Sequence, residues 1–240
     1  MDIFVYIIHI IGIVSFAAAG AMIAIDNETD TFGVVFLSVI TCFGGGLIRD
    51  VIAGASIGRH LPALFTDLKV ELLICVCTAL VVFVLAAVFK RQYVAEEETV
   101  TRINNILDAL GIGVFSAAGT EAYLSQGALV AITMGMISSV GGSLTRDVIL
   151  GGVPSILKKH IYALATLIGS AVYYVTAVFI IPSTAATGAI ATVSCLVTIF
   201  AIRMCATYFK WDMPKAIDFA SLREQRGDAE SEITAESSHK

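Results

Sequence analysis

The chain has 240 residues, a mean hydropathy of +0.87 and only 15% charged residues. A soluble domain of this size carries about 25% charged residues, so composition excludes a soluble globule and points to an integral membrane protein. The formal net charge of −5 says little about partners, because the acids collect at Asp26, Glu28 and Asp30, at Glu96, Glu97 and Glu98, and in the C-terminal tail; nothing suggests nucleic acid.

Seven apolar runs follow in chain order: 3–25, 32–54, 70–89, 105–124, 127–150, 161–181 and 185–207. About 20 apolar residues cross a bilayer as a helix. Lipid offers no partner to an open backbone, so each run is expected to be α-helical. The alternating segments of about 10 residues that build a membrane β-barrel are absent. The first run lacks a basic leader and is longer than a signal core, so it reads as a retained span. All five cysteines, Cys42, Cys75, Cys77, Cys195 and Cys205, lie within apolar runs and read as small apolar residues. No disulfide, metal site or cofactor is implied.

Loop charges set the orientation. Lys90, Arg91, Arg102, Lys158, Lys159, Lys210 and Lys215 share one side, while the other offers Arg59 and Lys69. The first side is expected to be cytoplasmic, with the N-terminus outside and the C-terminus inside. The polar tail 208–240 reads as largely disordered.

An internal repeat organises the chain. GIVSFAAAG at 12–20 matches GIGVFSAAG at 111–119 in 6 of 9 positions, and GGGLIRDVIAG at 44–54 matches GGSLTRDVILG at 141–151 in 8 of 11. The offsets are 99 and 97 residues, so both matches belong to one duplicated unit. Each unit holds three spans, an odd number, so the second copy enters the membrane from the opposite side. The expected fold is an all-α integral membrane protein of seven transmembrane helices: two inverted three-helix repeats (1–89 and 105–181), a cytoplasmic connector (90–104), a seventh helix (185–207) and a tail (208–240). Inverted repeats are a hallmark of transport proteins, with the path between the copies.

The duplicated motif supplies the candidate site. Gly44, Gly45 and Gly46, and in the second copy Gly141, Gly142 and Ser143, fall about 18 Å along their spans at 1.5 Å per residue, near mid-bilayer. Adjacent glycines there read as break points that open backbone carbonyls to an aqueous path; the competing reading is close helix packing. Arg49 with Asp50, and Arg146 with Asp147, would flank that path in opposite halves of the membrane. Neighbours in sequence sit about 100° apart on a helix, so neither pair is expected to bond within its own helix. Asp108 and His9 occupy equivalent positions of the two copies, within a few turns of a span end; they are candidate further polar residues of the pore or satisfied, interfacial groups, and Ser138 and Ser139 are further pore candidates. The serines, including Ser143, either coordinate an ion or cap carbonyls.

The doubled Gly-Gly-x-Leu-x-Arg-Asp-Val-Ile, each copy preceded by Phe-x-Ala-Ala-Gly and followed by a proline (Pro62, Pro154), resembles the prokaryotic trimeric intracellular cation (TRIC) channel family, also called UPF0126, whose repeat unit is known as the glycine transporter domain. The resemblance spans residues 3–207. It implies a homotrimer in a plasma membrane, with a potassium-permeable pore in each protomer bounded by the first, second, fourth and fifth spans and kinked at the glycines. The second copy departs at Ser143, where glycine is common, and His9 stands where the repeat often has aspartate. The expected function is a monovalent cation channel, passing K⁺ and Na⁺ among membrane lipids. A carrier of glycine or another small amino acid stays open, with the arginines as carboxylate ligands. An enzyme is not expected, because no nucleophile with a partnering base stands out.

Overall fold

The computed structural model describes residues 3–57, 69–158, 161–180 and 187–211. Residues 58–68, which hold Pro62 and Arg59, and the tail from 212 lie outside the described residues. Long helices run as α1 (Ile3–Asp26), α2 (Thr31–Ile57), α3 (Lys69–Val88), α4 (Glu97–Glu121), α5 (Ala128–Ile149), α6 (Tyr162–Val175, continued by a π-helical turn Thr176–Ile180) and α7 (Thr187–Tyr208). Six of these are long and apolar enough to cross a membrane. The exception is α4.

Its composition has a physical cause. α4 packs against α1, α5, α6 and α7, so its polar groups meet protein rather than lipid. Ser116 Oγ lies 2.8 Å from Ser170 Oγ of α6, and Thr120 Oγ1 donates to the Ser116 carbonyl at 2.8 Å. α4 also starts at Glu97 rather than near 105: the charged connector is itself helical. It contains a short helix, Lys90–Ala95, and then the first turns of α4. At the periphery, α3 packs on α1 and α2 and leaves Leu73, Val81, Val84, Leu85 and Val88 exposed, the apolar face a lipid-exposed helix presents.

Local chemistry sets the ends. Asp30 closes the acidic loop by accepting the Gly33 backbone N–H at 2.7 Å, an N-cap for α2. Pro154 precedes a short helix, Ser155–Lys158, and its carbonyl accepts the Leu157 N–H.

The two copies meet where α1 packs on α4. Phe16 and Phe115, equivalent at the offset of 99, stack on each other with centroids 5.2 Å apart and planes 7° apart. Gly12 of α1 lies against Val114 of α4, and Gly111 of α4 lies against Phe16 of α1.

Candidate functional site

The glycine motifs do not break their helices. α2 and α5 run as uninterrupted α-helices through Gly44–Gly46 and Gly141–Ser143, so the expectation of discontinuous helices with freed carbonyls is corrected. The glycines instead let two backbones touch. A Cβ on Gly45 would collide with the Ser138 carbonyl oxygen, and one on Gly142 with the Thr41 carbonyl oxygen. A Cβ on Gly44 would come within 3.1 Å of the Gly142 Cα, and one on Gly141 within 2.8 Å of the Gly45 Cα. Close packing, rather than helix rupture, is what small residues provide here.

The paired positions show the direction of the crossing. Residue 41 meets 142 and residue 45 meets 138, so α2 and α5 are antiparallel. The Arg-Asp pair that follows each motif therefore lies on its own side of the crossing.

Arg49 and Asp50 do bond within one helix, contrary to expectation. The guanidinium folds back so that Nε and Nη2 both donate to Asp50 Oδ1, at 2.8 and 2.7 Å. Arg146 does the same to Asp147 Oδ1, at 2.9 and 2.7 Å. The 100° rule concerns Cβ directions; a long arginine stem swings its head across that angle. Each pair is desolvated, and the side-chain exposures are 15% and 7% for Arg49 and Asp50, and 2% and 10% for Arg146 and Asp147.

On one side of the crossing is a cavity of about 60 Å³ whose polar lining is His9, Gly46, Arg49, Asp50 and Ser138. Arg49 Nη1 donates to Ser138 Oγ at 3.2 Å, which ties the α2 motif to α5. The His9 ring rests 5.5 Å from the Phe115 ring. On the other side, a crevice of about 280 Å³ is lined by Asp26, Asn27, Thr101, Asn104, Asp147 and Ser155, among others. Asp147 Oδ2 accepts the Ser155 backbone N–H at 2.7 Å. Tyr93 reaches Asp26 Oδ1 at 3.0 Å; burial and this carboxylate neighbour push the phenol's pKa up, keeping it a donor.

Of the additional polar residues, His9 and Ser138 reach the first cavity, and Asp108 and Ser139 do not. Asp108, 6% exposed, receives Arg203 Nη2 at 3.0 Å on one oxygen and the Tyr162 hydroxyl at 3.1 Å on the other. Its charge is paired inside the protein, which is the satisfied role of the two that the sequence left open. Ser139 donates to the Met136 carbonyl at 3.0 Å and Ser143 lies 3.1 Å from the Val140 carbonyl. Both are helix back-bonds, not caps on broken backbone.

Arg203 and Tyr162 escaped the sequence reading. Arg203 carried a signal: it is the one charged residue in α7, and an ionisable group inside a span signals a partner or a path. Tyr162 carried none, since it follows Lys158, Lys159 and His160 and reads as an interfacial aromatic.

A family model described as glycine transporter matches residues 6–87 and 105–178, the two copies of the repeat. The UPF0126 inner membrane protein YadS of Escherichia coli K12 is 34% identical over 171 residues, covering 70% of this chain and 77% of that protein. A UPF0126 membrane protein of Vibrio cholerae is 33% identical over 178 residues, covering 72% and 67%. Among solved structures, the trimeric intracellular cation channel orthologue from Rhodobacter sphaeroides superposes with a TM-score of 0.72 at 27% identity, covering 88% of this chain and all of that one. A prokaryotic TRIC channel crystallised in 0.5 M KCl gives a TM-score of 0.74 at 26% identity, covering 89% of this chain and all of that one.

Proposed function

The chain belongs to the UPF0126 family, to which the prokaryotic TRIC channels are structurally similar, and from that premise we propose that it is a monovalent cation channel, permeable to potassium and sodium, with one pore in each protomer of a homotrimer in the plasma membrane. All seven long helices span the membrane in this reading, as two inverted three-helix repeats plus α7, with the C-terminus cytoplasmic. The observation that carries it is the placement of two cavities, each lined by a motif aspartate, on opposite sides of one glycine crossing. A path between them runs along the α2–α5 interface, flanked by α1 and α4. The crossing is backbone against backbone, so the structure corresponds to a shut path, and conduction requires α2 and α5 to separate there.

The arrangement weighs against the carrier reading. A substrate carboxylate would meet guanidinium charges that are already matched, since Arg49 gives Nε and Nη2 to Asp50 and Arg146 gives Nε and Nη2 to Asp147. The aspartates thereby neutralise arginines that would otherwise repel a permeant cation.

Asp50→Asn removes that neutralisation from the outer cavity, whereas Glu98→Gln alters an exposed pair with Arg102. Potassium flux into liposomes should fall about tenfold or more in the first variant, an effect of about 1.4 kcal/mol, and stay at the parental rate in the second. Equal fluxes in both variants would remove Asp50 from the path.

A further inference from the structure

The two copies of the repeat carry different ionisable groups at one position. His9 of α1 and Asp108 of α4 are equivalent at the offset of 99. Asp108 is 6% exposed, and its two oxygens are taken by Arg203 and Tyr162. His9 instead lines the cavity of about 60 Å³ beside Arg49, Asp50 and Ser138. It stands six residues from the start of α1, about 9 Å along the helix axis, in the half of the path that opens to the outside.

The helices around the ring bring few charges to it. From α2 come Arg49 and Asp50, which bond each other, and the buried thiol of Cys42. From α3 comes the Glu71 side chain, buried and within electrostatic reach of the imidazole. α4 contributes the Phe115 ring, 5.5 Å from the imidazole, and Ala118; α5 contributes Ser138; none of these carries a charge. A proton on His9 therefore adds a positive charge to a cavity in which Asp50 already serves to match Arg49. It also changes what the ring offers. A neutral imidazole keeps one nitrogen lone pair, which a cation or its water can use, whereas an imidazolium presents two donors and no acceptor. The cavity has room for a few waters only, so a cation crossing it passes within reach of the ring.

We propose that His9 is a proton sensor in the outer half of the path: the neutral imidazole admits potassium, the imidazolium repels it, and acid outside the cell lowers the flux. The proposal rests on the channel reading. Histidine suits the role because its charge ordinarily changes in mild acid, near pH 6.5. The second copy has no such response at the equivalent position, since Asp108 is held by Arg203. The sensor thus belongs to one half of a duplicated path.

The test is potassium flux in liposomes of the full chain and two variants, His9→Asn and His9→Gln, with the same pH on both faces, stepped from about 8 to about 5.5, a range that spans the ordinary histidine titration. Parental flux should fall about tenfold across the step, the effect of one added charge in a poorly hydrated cavity. Both variants, eluting as the parent does, should match its flux at the alkaline end and lose most of the fall. A parent with equal flux at the two ends overturns the sensor, and so do variants that retain the parental fall or carry no flux at the alkaline end; in each case the channel stands. No flux above protein-free liposomes at any pH, in parent and variants alike, overturns the channel reading, and the sensor with it.

Discussion

Gly45→Ala should destabilise the helix bundle markedly, while Gly46→Ala, one residue on, should cost almost nothing. The Cβ added at position 45 meets the Ser138 carbonyl oxygen, which belongs to a helix backbone and cannot turn aside. The Cβ added at position 46 meets nothing nearer than Arg49 Nη2 at 3.9 Å. Relief at 45 requires α2 and α5 to move apart, and the neighbouring Gly44–Gly142 and Gly141–Gly45 contacts move with them. A cost of about 3 kcal/mol, the upper end for an overpacked core, corresponds to a fall of about 10 °C in apparent melting temperature for a chain of this size. Gly142→Ala should behave like Gly45→Ala, because its Cβ meets the Thr41 carbonyl oxygen in the reciprocal position. Thermal unfolding in detergent checks all three. Equal melting temperatures for the 45 and 46 variants would mean that the crossing is not the tight contact described.

The second large effect concerns the buried pair of α4 and α7. Arg203→Met leaves Asp108 with the Tyr162 hydroxyl as its remaining partner at a site 6% exposed. Removing one member of a buried ion pair costs about 3–5 kcal/mol, chiefly because the remaining charge stays buried. Asp108→Asn alone should cost a similar amount, since Arg203 is then the stranded charge and its Nε already has no acceptor among the described residues. The double variant should recover most of the loss, because the amide carbonyl introduced on α4 would still accept from Tyr162 and no net charge is left inside. Melting temperatures of the four proteins form a double-mutant cycle. Additive losses would show that the two charges are not energetically paired, despite the 3.0 Å contact.

The helices were legible because their cause is local: six runs exceed the apolar length that lipid demands, and the structure places their ends within a few residues of the expected ones. The start of α4 was less legible, since Glu97–Arg102 reads as solvated connector although nothing in it stops a helix. The repeat was legible as well: the family model matches both copies, and α2 and α5 cross antiparallel at their glycine motifs. What composition could not decide was the use of the glycines. Gly-Gly at mid-depth serves a helix break or a helix crossing equally well, and only the partner backbone, Ser138 and Thr41, distinguishes them. The Arg49–Asp50 bond was misjudged by treating side chains as Cβ vectors. Asp108 stayed open between a pore role and a satisfied one because its partner, Arg203, lies 95 residues away in a helix that the repeat does not contain.

The central claim is that this protein passes potassium through its own fold, and flux in liposomes containing only the purified chain tests it most directly. A potassium gradient is applied without valinomycin, and labelled glycine uptake is followed in parallel. A potassium current that glycine does not alter is the predicted result. Saturable glycine uptake without comparable ion current would contradict it, and would reassign Arg49 and Arg146 as carboxylate ligands released from their aspartates.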